Sequence, residues 1–206
     1  MKGRTDQEIF WAGEFGSQYT NRNDHRDLVA ANTSLFAQAL RGIPLDSVLE
    51  IGANIGQNLL ALRTLYPEIQ TSAVEINELA ARRLVERVPG VQVEISSIDE
   101  SQLKGQFDLV LSKGVLIHLT PDSLQETYRR ISRWSSRFVL FAEYYNPTPI
   151  EISYRGHEDK LFKRDFAGEF LAVNQEFRLR DYGFIYRGDQ AHPLDDTTWF
   201  LMERPR

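Results

Sequence analysis

The first candidate for chemistry is a glycine-spaced turn that follows a short apolar run at residues 48–51. The spaced positions are Glu50, Gly52, Asn54 and Gly56, and a helical pattern begins directly after them. The segment therefore predicts a strand, a tight turn and a helix. Such a turn presents backbone N–H groups and the positive end of a helix to a ligand with anionic or hydroxyl groups. We expect Gly52 and Gly56, which lack a Cβ, to let the backbone approach that ligand closely.

The spacing of the turn distinguishes between two classes of nucleotide ligand. A dinucleotide fingerprint, G-x-G-x-x-G, starting at Gly52 would need glycine where the chain has Asn54 and Gln57. The segment E-x-G-x-N-x-G instead resembles the first motif, E-x-G-x-G-x-G, of class I S-adenosylmethionine (SAM) methyltransferases. Asparagine is the side chain that best tolerates a positive φ, so it can replace the middle glycine. A tight strand-to-helix turn without a ligand is the alternative interpretation.

Polar residues follow the next two predicted strands. Glu75 ends the second strand, about 20 residues after the first glycine of the turn, where an acid reaches the ribose hydroxyls of an adenosine. A solvent-exposed acid at a strand end is the alternative. The resemblance implies that Ile76 lies beside the adenine and that Ser97, Ile98 or Asp99 contacts the adenine amino group. Helix capping is the competing explanation for Asp99.

The predicted fourth strand and the turn after it also resemble these methyltransferases, in a motif that begins at Phe107. The resemblance implies that Ser112 and Lys113 offer backbone carbonyls to the ammonium group of SAM. His118 follows this turn and is a candidate general base, with packing or loop bracing as the alternative. Methyl transfer from a sulfonium depends mainly on aligning and desolvating the nucleophile, because the leaving group is neutral. A hydroxyl acceptor calls for one base, and a carboxylate acceptor calls for none.

Further positioning residues are expected in the N-terminal segment and in the segment after the fifth strand, because both should lie over the pocket. The candidates are Tyr19, Arg22, Tyr144, Tyr145, Asn146, Tyr154, Arg155 and His157. Tyr144 and Tyr145 join His118 as catalytic candidates. Tyr19 and Arg22 are assigned to the cofactor, and the remaining four residues of the list are assigned to the acceptor. Arg155 is the most suggestive, since a guanidinium fork in a polar loop suits a carboxylate or phosphate. Bracing of the loops is the alternative for each.

The elements that would position these residues alternate between strands and helices. Strands are predicted at residues 48–51, 71–75, 91–95, 107–111, 137–144, 177–186 and 197–203, with helices at 56–66, 78–87, 121–134 and 164–173. This alternation predicts an α/β protein with a parallel, doubly wound sheet and right-handed crossovers. The last two strands predict an antiparallel pair, which class I methyltransferases also have. The predicted fold is a Rossmann-like, seven-stranded class I methyltransferase sheet with an antiparallel C-terminal strand.

Two segments lie outside this alternation. Residues 5–24 are rich in aromatic side chains without a clear helical or strand period, and we expect an ordered cap there, followed by a helix at about residues 24–40. Together they predict an N-terminal helical cap within residues 1–44. We expect a lid at residues 146–174, beginning with a long loop, on a SAM-binding core of residues 45–206. The whole chain is expected to be one methyltransferase domain.

The composition limits the class of partner. The 206-residue chain has a net charge of −5 and no basic stripe, which argues against a nucleic-acid partner. It has no cysteine, which excludes disulfides, thiolate zinc sites and cysteine nucleophiles. The four histidines have no paired spacing, so we expect no metal. No apolar run is long enough to cross a bilayer and no signal peptide is visible, so we expect a cytoplasmic protein without a membrane partner. We expect it to be a monomer or a homodimer.

A narrower resemblance covers most of the chain. It rests on the aromatic N-terminal segment at residues 10–23, the glycine-spaced turn at residues 48–58 and the segment Glu-Tyr-Tyr-Asn-Pro at residues 143–147. These segments resemble the pseudaminic acid biosynthesis-associated methylases, named for operons that build a nonulosonic sugar acid for surface glycans. The resemblance implies methylation of a small polar acceptor, such as that sugar acid or its nucleotide-linked form. A small amino acid or other carboxylate metabolite as acceptor, and a non-catalytic SAM-binding scaffold, are the alternatives.

Overall fold

Nine strands and seven α-helices make up the part of the chain that the computed structural model describes, residues 4–22 and 27–205. The strands are β1 (Ser47–Ile51), β2 (Gln70–Glu75), β3 (Gln92–Ile95), β4 (Phe107–Lys113), β5 (Ser135–Glu143), β6 (Ile150–Tyr154), β7 (His157–Lys163), β8 (Arg178–Ile185) and β9 (Thr197–Glu203). The helices are α1 (Asp6–Ala12), α2 (Glu14–Arg22), α3 (Asp27–Ala39), α4 (Gln57–Leu65), α5 (Glu78–Arg87), α6 (Pro121–Trp134) and α7 (Phe166–Val173). Among the described residues, no helix is both long and apolar enough to cross a membrane.

Seven strands form one sheet in the order β3-β2-β1-β4-β5-β9-β8. The first five strands of this order run parallel, whereas β9 runs antiparallel to β5 and β8 antiparallel to β9. The prediction of a seven-stranded α/β sheet with an antiparallel C-terminal strand is therefore confirmed. In this register Glu143, at the end of β5, lies opposite Thr198, near the start of β9. The loop between β8 and β9 consequently reaches the edge at which the parallel strands end.

The central strands are apolar on both faces because helices cover both faces. Val48 and Leu109 belong to a hydrophobic core with residues of α3, α4 and α5. Leu49 and Val110 point to the opposite face and pack with residues of α6 and α7. All four side chains are fully buried. This double cover explains why these strands have near-continuous apolar sequences, as buried parallel strands do.

The N-terminal segment is helical, as expected of an N-terminal helical cap, although residues 5–24 show no helical period in the sequence. A capping box begins α1: the Thr5 hydroxyl accepts a hydrogen bond from the Glu8 N–H, and the Glu8 carboxylate accepts one from the Thr5 N–H. Gly13 separates α1 from α2. No helical period was visible in the sequence because both helices are short and the chain changes direction between them, at Gly13. The helix predicted at residues 24–40 is present as α3, and its predicted start at Asp24 lies outside the described residues.

The segment after β5 contains a β-hairpin instead of the expected long loop. Strands β6 and β7 pair antiparallel, with Tyr154 opposite His157. Between them Arg155 and Gly156 have φ values of 52° and 84°, the pair of positive angles that a type I′ hairpin turn requires. The sequence did not reveal this turn because arginine is uncommon at positive φ. The helix predicted at residues 164–173 is present as α7.

Candidate active site

A cavity of about 820 Å³ opens at the carboxyl edge of the parallel strands. The turns after β1, β2, β3 and β4 form one side of it, and the N-terminal helices, the β6–β7 hairpin and the β8–β9 loop form the other. The predicted site residues that line it are Tyr19, Arg22, Gly52, Asn54, Glu75, Ile76, Ser97, Ile98, Asp99, Lys113, His118, Tyr144, Tyr154 and Arg155. The predicted site residues outside its lining are Glu50, Gly56, Ser112, Tyr145, Asn146 and His157.

The turn after β1 brings bare backbone to the cavity wall. Gly52 has a φ of 65°, and a Cβ there would lie 2.6 Å from Cγ2 of Val115, so only glycine fits without a shift. Asn54 has a φ of 48°, which confirms that asparagine takes the left-handed conformation expected of the middle glycine. Its amide oxygen accepts a hydrogen bond from the Thr20 hydroxyl at 3.1 Å. The turn is thus connected to the N-terminal helices.

Gly56 has a different role from the one the motif suggested. It has a φ of 79°, and a Cβ there would overlap Leu84 and lie 2.7 Å from Cγ2 of Val88. Both side chains are fully buried, and Gly56 does not line the cavity. Its missing Cβ faces α5, so the close approach of Gly56 to the ligand stays a prediction. This glycine allows α4 to start close against α5.

Glu75 is held at the end of β2 by two backbone amides. Its Oε2 accepts a hydrogen bond from the Asn54 N–H and its Oε1 one from the Asn77 N–H, both at 2.7 Å. Burial raises the pKa of Glu75, and these hydrogen bonds oppose the rise. Each carboxylate oxygen keeps a second lone pair for a ligand hydroxyl. The side chain is thus fixed in place while it retains acceptor capacity toward the cavity.

Two further buried carboxylates lie behind the cavity wall. Glu50 accepts a hydrogen bond from Nδ2 of Asn58 at 2.5 Å, and burial raises the pKa of Glu50 to about 8. Glu143 accepts hydrogen bonds from the Ser112 hydroxyl at 2.7 Å and from the Val115 N–H at 3.1 Å. These contacts brace the turn after β4. Glu50 and the Ser112 side chain therefore support the site from behind and do not line it.

His118 is a neutral side chain with a fixed tautomer. Its Nδ1 lies 2.6 Å from the backbone oxygen of Lys160, and because a carbonyl only accepts, Nδ1 carries the hydrogen. Burial lowers the pKa of His118 to about 4. The ring packs against those of Trp11 and Tyr154, at centroid distances of 4.5 and 5.0 Å. His118 lines the cavity, but its burial makes it a weak proton acceptor.

Aromatic rings join the N-terminal helices to the hairpin above the cavity. This aromatic roof consists of Phe10, Trp11, Phe15, Tyr19, Tyr154 and His157, whose rings contact one another at centroid distances of 4.0 to 6.3 Å. Nε2 of Gln7 donates a hydrogen bond to the backbone oxygen of Asp159 at 2.9 Å, which adds a polar link between the two elements. His157 thus belongs to the outer part of the roof and not to the cavity lining.

The β8–β9 loop adds two residues that sequence reasoning missed. Asp195 and Arg187 both line the cavity, and Oδ2 of Asp195 accepts a hydrogen bond from the Tyr144 hydroxyl at 2.7 Å. Burial raises the pKa of Tyr144, and the bond to Asp195 raises it further. The signal for these residues was available, because a strand antiparallel to β5 must begin at the site edge. Tyr145, by contrast, packs its ring 5.7 Å from that of Phe200, and Asn146 donates to the Thr148 carbonyl.

Three arginines surround the mouth of the cavity. Arg22 lies 5.5 Å from the ring of Phe15, Arg155 lies 5.8 Å from that of Tyr154, and Arg187 lies 3.6 Å from a carboxylate oxygen of Asp196. Arg22 and Arg155 form no ion pair with any described residue. Within residues 4–22 and 27–205, no three histidine, aspartate or glutamate side chains are grouped to hold a metal ion. The mouth is therefore suited to an anionic group.

Comparison with known proteins finds a family match over part of the chain. Residues 49–136, which run from β1 to the start of β5, match a family model described as a methyltransferase domain. A search of curated proteins finds no match to the chain. The matched range contains the turn after β1, Glu75 and the turn after β4, so it covers the sheet-edge side of the cavity.

Solved methyltransferases share the fold at low sequence identity. Magnesium protoporphyrin IX methyltransferase from Synechocystis PCC 6803, solved with bound SAM, is 12% identical, with 100% of each chain covered and a TM-score of 0.69. The 1,6-didemethyltoxoflavin-N1-methyltransferase of Burkholderia thailandensis is 18% identical over 93% of this chain and 85% of that one, with a TM-score of 0.68. Coclaurine N-methyltransferase is 16% identical over 76% of this chain, with a TM-score of 0.63. The chain spans about half, 51%, of the length of that protein.

These findings confirm the predicted class I methyltransferase fold. The domain match confirms the predicted enzyme class, a SAM-dependent methyltransferase. The compared structures hold SAM or S-adenosylhomocysteine, which agrees with the predicted cofactor.

Proposed function

We propose that the protein transfers the methyl group of SAM to a small polar acceptor that carries an anionic group. The leading acceptor class is a nonulosonic sugar acid of the pseudaminic type, or its nucleotide-linked form. The observation that carries this proposal is the presence of Arg22, Arg155 and Arg187 at the mouth of the cavity that contains the glycine-spaced turn and Glu75. Arginine is the side chain best suited to bind carboxylate or phosphate through paired hydrogen bonds.

The residues of the sheet edge fit SAM. Gly52 leaves a cradle that a Cβ would fill, and Glu75 offers a lone pair on each oxygen to the two ribose hydroxyls. Ile76, Ser97, Ile98 and Asp99 line the same side of the cavity and would surround the adenine. When bound, SAM supplies an electrophilic methyl group on a sulfonium whose departure leaves a neutral thioether. A volume of about 820 Å³ lies in the range of small-molecule sites and leaves space for an acceptor beside the cofactor.

The opposite wall provides the acceptor side. Trp11 and Tyr154 of the aromatic roof, together with His118, supply flat surfaces, and Tyr144 and Asp195 supply polar groups. Two of the compared structures hold small molecules, N-methylheliamine and 1,6-didemethyltoxoflavin, which supports an acceptor of that size. A purely apolar acceptor would not need these exposed arginines. We infer that they bind the anionic part while the roof excludes water from the reacting groups.

The experiment combines labelled SAM with a panel of acceptors and mass spectrometry. The panel contains pseudaminic acid, its CMP conjugate, small amino acids, transfer RNA and protein extract. We expect methylated product from the sugar acid or its conjugate. A labelled amino acid or other small carboxylate would keep the anion site but replace the acceptor class. Label that appears only on transfer RNA or protein would contradict the proposal.

Arg155→Ala tests the anion site directly. Loss of charged hydrogen bonds worth about 1.5–3 kcal/mol should raise the KM for the acceptor by about 10- to 100-fold. Binding of S-adenosylhomocysteine, measured by calorimetry, should not change. The matched control is Arg82→Ala, which removes an exposed arginine of α5 that pairs with Glu78 away from the cavity. An equal loss of S-adenosylhomocysteine binding in Arg155→Ala would assign Arg155 to the cofactor or to the structure of the hairpin.

A further inference from the structure

The β8–β9 loop places a carboxylate on the acceptor side of the cavity. Asp195 lies two residues before the start of β9, and β9 begins beside the end of β5. In the strand order β9 lies next to β5 and β5 next to β4, so Asp195 is on the β4–β5 side of the sheet edge. Glu75 lies on the other side, at the end of β2. If Glu75 holds the ribose, as the proposed function states, the reactive end of the cofactor points away from β2 and toward Asp195.

Tyr144 orients this carboxylate. The Tyr144 hydroxyl donates to Oδ2 of Asp195 at 2.7 Å, and Oδ1 accepts no hydrogen bond from the described residues. A phenol that donates to one oxygen restricts the rotation of the carboxylate and leaves the other oxygen available to a ligand. Three titratable side chains interact electrostatically with Asp195: Tyr144 directly after β5, Tyr19 of α2 and Lys113 of β4.

The other acidic residues of the cavity are used elsewhere. Glu75 accepts backbone hydrogen bonds at both oxygens, and Glu8 closes the capping box of α1. Asp99 lies after β3, on the adenosine side in the proposed arrangement. Among the described acids that line the cavity, Asp195 is therefore the one on the β4–β5 side.

His118 is less accessible as a proton acceptor than Asp195, because His118 is buried and Asp195 is exposed. Its Nδ1–H is held by the Lys160 carbonyl, and the ring packs against those of Trp11 and Tyr154. Such a site favours the neutral imidazole and opposes the charged form that proton transfer would create. Asp195 is exposed, so solvent can accept the proton from it after each turnover.

We infer that Asp195 is the catalytic proton acceptor for a hydroxyl of the acceptor, which makes the reaction an O-methylation, and that Tyr144 is its positioning residue. The inference rests on the proposed function. The acceptor oxygen forms a bond to the methyl carbon as the bond between that carbon and sulfur breaks, and the electron pair of the broken bond stays on sulfur. The hydroxyl proton moves to Asp195 Oδ1 and then to water. The products are the methyl ether, S-adenosylhomocysteine and one proton.

Steady-state kinetics of the full chain with pseudaminic acid and its CMP conjugate test this inference. Asp195→Asn keeps the size and polarity of the side chain but removes its basicity, so we expect kcat to fall by about 100-fold or more. Tyr144→Phe should give a smaller loss of kcat. Asp195→Ala should regain activity when formate is added, because a small carboxylate can occupy the vacated position. Calorimetry with S-adenosylhomocysteine should show wild-type affinity in all three variants, and the control Asp181→Asn, on the outer strand β8, should retain wild-type kcat.

The outcomes separate this inference from the proposed function. If the wild-type protein methylates none of these acceptors, the proposed function fails and the inference fails with it. If the wild-type protein is active, a wild-type kcat for Asp195→Asn, an effect confined to KM, or no rescue by formate overturns the inference alone. Tandem mass spectrometry gives an independent readout: a methyl ether supports the inference, whereas an N-methyl group or a methyl ester overturns it.

Discussion

A turn uses glycine either because the backbone has a positive φ or because a Cβ would clash with a neighbour. Replacement of Gly56 by alanine, compared with the same change at Gly90, separates these two reasons. Gly56 and Gly90 have almost the same positive φ, 79° and 77°. A Cβ on Gly90 would meet no atom within 4 Å, whereas one on Gly56 would overlap Leu84 and lie 2.7 Å from Cγ2 of Val88. Gly90→Ala is therefore a matched control that changes the backbone preference without a steric clash.

The structure sets the expected loss of stability for each variant. An alanine in the left-handed conformation costs about 1–2 kcal/mol, and this cost applies at both positions. Leu84 and Val88 are fully buried, so they can yield only by disturbing their own packing. Overpacking of this kind costs a further 1–3 kcal/mol, roughly. We expect Gly56→Ala to lose about 2–5 kcal/mol of unfolding free energy and Gly90→Ala about 1–2 kcal/mol.

Urea unfolding followed by circular dichroism measures both losses, and calorimetry on the folded variants measures binding of S-adenosylhomocysteine. Because Gly56 faces α5 and does not line the cavity, the affinity of folded Gly56→Ala should equal that of the wild type. Equal losses of stability in the two variants would refute the packing argument. A loss of affinity without a loss of stability would show that Gly56 acts on the ligand after all.

Two predictions concern buried ionisable side chains. Glu75→Gln should weaken SAM binding by about 1–3 kcal/mol in calorimetry, because the variant loses charge-assisted hydrogen bonds. The control Glu78→Gln, on the exposed face of α5, should bind SAM like the wild type. Equal affinities of the two variants would remove Glu75 from the site. His118 has a pKa of about 4 in the folded chain against 6.5 in the unfolded chain, so the unfolded state binds more protons between these values and stability falls as the pH falls through them. Between pH 7 and pH 5, the loss of unfolding free energy should be about 2 kcal/mol larger for the wild type than for His118→Gln, and equal losses would contradict the buried neutral state.

The sheet and its edge were predictable because their signals are local in the sequence. Continuous apolar runs reveal strands that are buried on both faces, and the helices between them have clear starts and stops. Pro121 in the first turn of α6 and Asn77 as the N-cap of α5 are examples. The positive φ of Asn54 could likewise be inferred from its spacing to the two glycines. Parallel strands then bring the ends of β1, β2 and β4 to one edge without further information.

The cap and the hairpin were predicted less well because their stability is not local. A helix of seven residues and an isolated two-stranded hairpin are both marginal in water. Here each is stabilised by the other through the aromatic roof and the hydrogen bond from Gln7 to Asp159. A periodic pattern reports burial against one regular face, whereas Phe10 and Trp11 pack in different directions against rings that are remote in sequence. The pattern was therefore absent although the helices are present.

The same contrast explains why the proposed acceptor side is harder to infer from sequence than the proposed cofactor side. The cofactor side uses backbone geometry and strand ends, which are properties of the fold and recur wherever the fold occurs. The acceptor side uses side chains from α2, the hairpin turn and the β8–β9 loop, three segments that meet only in the folded chain. Arg22, Arg155 and Asp195 are each unremarkable as single polar residues in exposed segments. Their proximity around one cavity supports both proposals, since the proposed anion site and the proposed proton acceptor then face the same volume.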